Sequence, residues 1–100
     1  MAETNDRLIR LILRRYGALG LHPQEALLLL HLVELGGIVV QVPGAALARR
    51  MGITQRRLQG LAASLLSKGF LAITPVLEEG KRQEANIYDL GEFLVACGER

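Results

Sequence analysis

Tryptophan is missing from this chain, and only two tyrosines and two phenylalanines are present. The core must therefore be aliphatic, mostly leucine with isoleucine, valine and alanine. Cys97 is the sole cysteine. No internal disulfide can form and no cysteine-based metal cluster can assemble; one free thiol fits a reducing, cytoplasmic compartment. No apolar run is longer than Ala26 to Leu30, far short of the roughly 20 residues a membrane-spanning helix needs. No charged start leads into an apolar stretch with a small-residue cleavage site, so a signal peptide is not expected. The most telling absence is one sign of charge. Between Glu34 and Glu78 there is no acid, yet Arg49, Arg50, Arg56, Arg57 and Lys68 all fall there. The formal net charge is only +2, so the imbalance is local and points to an anionic partner for the middle of the chain.

What is present is enough for one domain. The 100 residues are 50% hydrophobic and 22% charged, a composition that folds without staples and argues against disorder. A first helix is expected to begin near Thr4 or Asn5, either of which can cap it. Leu8, Leu11 and Ile12 share one face, widened by Ile9 and Leu13, and Arg7, Arg10 and Arg14 lie opposite. A second helix is expected from His22-Pro23, with Glu25 in its first turn. Its body, ALLLLHLVEL from Ala26 to Leu35, is apolar nearly all round. Such a helix lies either at the centre of the fold or at a subunit interface.

Ile38 to Val42 is β-branched and reads as a strand closed by Pro43. A short helix follows from about Gly44 to Met51, with Leu47, Ala48 and Met51 inward. Gly52 ends it, Ile53 plugs the turn, and Thr54 caps the next helix, which runs to about Lys68 before Gly69. Phe70 to Leu77 and Gln83 to Asp89 read as two strands of a hairpin around EEGKR, with Pro75 suggesting an edge. Leu90 to Cys97 reads as a last short helix with Leu90, Phe93, Leu94 and Cys97 inward. The expected fold is mainly α with a small β-hairpin, a single winged helix-turn-helix domain over 1–100. The helix-turn-helix falls at about 44–68 and the wing at about 70–89.

In the helix from Thr54, Leu58, Leu61, Ala62, Leu65 and Leu66 share one face, which accounts for the apolar content. The opposite face holds Arg56, Gly60, Ala63 and Ser67, flanked by Arg57 and Ser64 on one side and Gln59 on the other. In helix-turn-helix proteins the start of the second helix enters the major groove. Arginine there neutralises phosphates and can grip guanine edges. The expected duplex-DNA contacts are Thr54, Gln55, Arg56, Arg57 and Gln59, with Lys81 and Arg82 at the hairpin tip. The plain alternative for each of these cations is a solvated surface, and Glu78 and Glu79 weaken the case for the hairpin. Lys68, just before Gly69, suits a helix-end role as well as a phosphate. A glycine inside an exposed helix costs about 1 kcal/mol against alanine. Gly60, Ala63 and Ser67 form a strip poor in side chains, which lets another backbone come close but reads bases poorly. Weak sequence specificity is therefore expected.

His22 and His31 are too far apart, and too short of partners, for a metal site. His22 is expected to cap its helix and His31 to lie at a surface or interface. No nucleophile stands beside a base and no glycine-rich phosphate loop occurs. Neither an enzyme nor a cofactor site is expected.

The run YGALGLHPQEALLLLHL, Tyr16 to Leu32, resembles the start of the N-terminal domain of DnaD-type primosome proteins. LARRMGITQRRLQGLAASLLSKGFL resembles their helix-turn-helix, and NIYDLGEFL, Asn86 to Leu94, their closing strand and helix. The resemblance covers nearly the whole chain and implies a role in replication initiation and restart. In that family this domain serves oligomerisation and contacts with replication initiator or helicase-loading proteins, while a separate C-terminal domain is associated with much of the DNA binding. The resemblance thus implies a homo-oligomer, expected to be a dimer; the apolar first and second helices fit that role, with Leu8, Ile9, Leu13, Leu28, His31 and Leu32 as the expected self-association residues. Two other readings stand beside it: a winged-helix regulator of a specific operator, and a protein-interaction scaffold that binds no DNA.

Overall fold

The computed structural model describes residues 2–76 and 85–98. The chain is mostly helical, with one small antiparallel sheet. In order its elements are α1 (Ala2–Arg15), α2 (Pro23–Gly36), β1 (Val39–Val42), α3 (Gly44–Met51), α4 (Gln55–Ser67), β2 (Ala72–Val76), β3 (Ala85–Asp89) and α5 (Gly91–Ala96). Among the described residues no helix is long and apolar enough to cross a membrane.

The local chemistry explains most of the boundaries. Pro23 opens α2, and His22 caps it by accepting the Gln24 N–H on Nδ1 at 3.0 Å. Glu25 reaches back to the His22 N–H at 2.7 Å, completing a capping box. Gly52 stands at φ 73° after α3, the left-handed conformation that ends a helix and that glycine adopts without penalty. Thr54 caps α4 by accepting the Arg57 N–H at 3.0 Å. At α1 the expectation fails: the helix begins at Ala2, so Thr4 and Asn5 lie inside it and do not cap it. Alanine is the strongest helix former, which favours the earlier start.

The core is aliphatic. Leu28, Leu29, Leu32, Leu47 and Leu65 are wholly enclosed, with Ile12, Val33 and Phe93 close behind. The nearly all-apolar α2 is the centre of the domain, touching α1, α3, α4 and β1. That resolves its two readings for its inner face. Leu28 and Leu32, expected at a self-association surface, are instead sealed inside their own chain at 0% exposure. What α2 leaves outside is a narrow stripe with Leu27 and Leu35. Leu66 is a second correction. Expected on the core face of α4, it is 51% exposed, because it sits at the edge of the apolar stripe, a quarter-turn beyond Leu65.

The sheet holds one more strand than the expected hairpin. β1 pairs antiparallel with β3, and β3 with β2, in the order β1-β3-β2. Val40 faces Tyr88, which faces Ile73, and these three turn toward the core. Pro75 lies on an edge strand, as expected. Leu90, Phe93, Leu94 and Cys97 are all buried, as their spacing implied.

Candidate functional site

The residues singled out in the sequence lie along α4 and its neighbours, on three different faces. Arg56, Gly60, Ala63 and Ser67 share the outward face, and all four are exposed. A methyl group on the Gly60 Cα would meet no atom of the chain within 4 Å. Arg56 has no partner among the described residues, and neither does Arg49 at the end of α3.

Arg57 faces the start of α2. Its guanidinium donates to the side-chain carbonyl of Gln24. That partner is neutral, so the bond fixes the side chain and leaves its charge intact. On the same flank, further along α4 and at its end, Ser64 and Lys68 meet Glu25. The Lys68 ammonium lies 2.8 Å from the Glu25 carboxylate and 3.2 Å from the Gly20 carbonyl. Burial disfavours the Glu25 charge. Hydrogen bonds from Lys68, the Ser64 hydroxyl and the His22 N–H, with the Lys68 charge, outweigh it and hold the carboxyl below its usual range. Arg50 forms a surface ion pair with Glu34 of α2. His31, one turn before Glu34, is half-buried; burial and the nearby Arg50 charge both push its imidazole toward the neutral form.

The third face borders a groove of about 570 Å³ between the start of α3, α4 and the sheet. Gln55 and Gln59 line it together with Leu58, Ala62, Leu66, Asn86 and Tyr88, and among the described residues no charged side chain lines it. The Asn86 side-chain amide donates to the Tyr88 hydroxyl at 3.2 Å. Gln55 and Gln59 therefore border the groove on the flank of the Arg56 face, and Ala63 of the strip borders it with them. Thr54 is exposed, and its hydroxyl oxygen accepts the cap bond while the O–H remains a donor. Lys81 and Arg82 lie outside the described residues.

Among the proposed self-association residues, Leu13 is 54% exposed, Leu8 and Ile9 are half-buried against the core, and His31 is half-buried on α2. They do not form one surface with Leu28 and Leu32.

Three participants were missed in the sequence: Gln24, Glu25 and Glu34. All three come from α2 and reach the basic segment only through the tertiary fold. The three-residue spacing of His22 and Glu25 was a legible signal for the capping box; nothing local tied Glu25 to Lys68. The chain matches no family model and no curated protein.

Proposed function

We propose that α3, the turn at Gly52–Thr54, α4 and the β2–β3 pair act as a winged helix-turn-helix. On that reading the chain is a cytoplasmic replication initiation or restart module of the DnaD type. It self-associates, contacts initiator or helicase-loading proteins, and binds duplex DNA weakly with little sequence preference. The observation that carries the reading is the outward face of α4: a bare strip of Gly60, Ala63 and Ser67 beginning at an arginine with no partner among the described residues. A phosphate backbone can approach such a strip closely, and Arg56 meets it at the end where a recognition helix enters the groove. A regulator of one operator needs several long base-reading side chains on that face, where Gly60 and Ala63 offer none and Arg56, with Gln59 on its flank, stands at one end.

The test is fluorescence anisotropy of a random-sequence duplex at low and at physiological salt, with wild type and Arg56→Glu. The expected result is binding that weakens steeply with salt and is abolished in the variant, at unchanged helical circular dichroism. A folded protein that leaves the duplex free at low salt would overturn the DNA role. The scaffold reading would then take its place. It draws support from Arg50 and Lys68, two cations already paired within the fold.

A further inference from the structure

The two edges of the sheet are built differently. In an antiparallel pair, alternate residues direct both their N–H and C=O groups to one neighbour or to the other. The Leu90 N–H donates to the Ile38 carbonyl at 2.9 Å. In the same register Val40 faces Tyr88 and Val42 faces Asn86. Ile38, Val40 and Val42 are thus the residues that bond β3. Val39 and Gln41 turn their backbone groups outward, to an edge that no other strand among the described residues borders.

On the far side the alternation reverses. Tyr88 and Asn86 bond β1, so Asp89, Ile87 and Ala85 bond β2 through Ala72, Thr74 and Val76. Pro75 falls at an outward-facing position, where its missing N–H takes a donor away from the open edge. The β2 edge is blunted and the β1 edge is not. From Leu35 to Ala48 the chain carries no charge, and its one proline, Pro43, stands just past the end of β1 rather than within it, although edge strands are ordinarily guarded by charges, proline or a bulge. Ile38 and Val39 are 37% and 56% exposed.

We infer that β1 is a self-pairing edge: two copies of this chain join their β1 strands antiparallel about a two-fold axis at Val40, doubling the sheet. Across that axis Val39 faces the partner's Gln41, and the outward N–H and C=O groups of both are satisfied. Two observations select a second copy arranged in this way. Adding β1 to the β2 edge of another copy would extend without end, and Pro75 opposes it; two β1 edges close on themselves. The apposed segments are uncharged, so no like charges meet. A four-residue edge, even with Leu35 and Ile38 beside it, falls short of the roughly 800 Å² per partner of a standard interface. The dimer should accordingly dissociate on dilution. This assignment rests on the self-association in the function proposed above, and adds its surface and symmetry.

The test uses sedimentation velocity over a concentration series, with backbone amide exchange alongside. The variants are Val39→Lys/Gln41→Lys and Val39→Glu/Gln41→Glu; both side chains are exposed, so the fold tolerates them. Wild type should dimerise with rising concentration, and the Val39 and Gln41 amides should gain protection in step while Val40 stays protected throughout. Each variant alone should dimerise at least about tenfold more weakly, since like charges then sit opposite each other. An equimolar mixture of the two should restore the dimer. Undiminished dimerisation of both variants, or a mixture that stays monomeric, would overturn the edge pairing while self-association stands. A wild type that remains monomeric throughout would overturn self-association itself, and the edge pairing with it.

Discussion

Replacing Gly60 by alanine adds a methyl group where no atom of the chain stands within 4 Å. The position is exposed and lies in the interior of α4, and its φ is not positive. Neither strain nor collision opposes the change. What remains is helix propensity, which favours alanine by about 0.8–1 kcal/mol in a helix interior. For a domain of this size that raises Tm by roughly 4–8 °C. Thermal and urea denaturation followed by circular dichroism reads the gain, with an unchanged m-value showing that the unfolded state is the same. A variant no more stable than wild type would refute the open position. The same protein tests the proposed function. If a DNA or protein backbone lies against the strip, the methyl group holds it off, and duplex binding falls although the fold is tighter. Full binding by the stabilised variant would refute the close approach.

Two further predictions concern the contacts of α2. Lys68→Met keeps the aliphatic stem and leaves the buried Glu25 with only Ser64 and the His22 N–H. The loss at pH 7 should be about 1–3 kcal/mol, below the figure for a fully buried pair because Lys68 is partly exposed. The folded Glu25 pKa lies below its ordinary value, so the stabilisation is present above pH ~4.5 and fades as pH falls through the folded value. The gap between urea melts of wild type and variant should therefore narrow as pH is taken from 7 down through the acid range; a gap constant down to acid unfolding would exclude the ion pair as its source. His31 carries the same sign. Its folded pKa is lowered, so stability is lost as pH falls from about 6.5, and His31→Gln should flatten the stability profile between pH 7 and 5.

Turn chemistry and period made much of the fold legible. Gly52 and Thr54 fixed the break between α3 and α4 to the residue, and the spacing of Leu90, Phe93, Leu94 and Cys97 named the buried face of α5. The pairing of β1 with β3 was not legible, because a short uncharged strand carries no mark of its partner across the two helices and the strand that intervene. The fate of α2 was ambiguous for a related reason: an all-round apolar helix looks alike at a core and at an interface. The candidate site was read less well than the fold. Helical period put Arg56 and the Gly60 strip on one face correctly, but it could not show Arg57 bonded to Gln24 or Gln55 and Gln59 turned toward the groove.

The charge of the basic segment illustrates the same limit and yields a sharper test. In sequence it holds five cations and no acid; in space α2 supplies two acids to it. Glu34 cancels the field of Arg50, and Glu25 that of Lys68. Gln24 holds Arg57 without neutralising it. The cations of this segment left to draw a polyanion are Arg49, Arg56 and Arg57. Each phosphate neutralised on duplex DNA contributes about −0.9 to the slope of log K against log salt. Arg56→Gln should therefore make the slope shallower by about 0.9 per bound chain. Arg50→Gln should change it far less, since Glu34 holds Arg50 away from phosphate; the Glu34 charge it uncovers weakens binding at every salt, and the surface bridge contributes at most about 1 kcal/mol to the fold. Equal slope changes for the two variants would mean that Arg50 leaves Glu34 to meet DNA, and that pairing within the free chain does not decide which arginines bind.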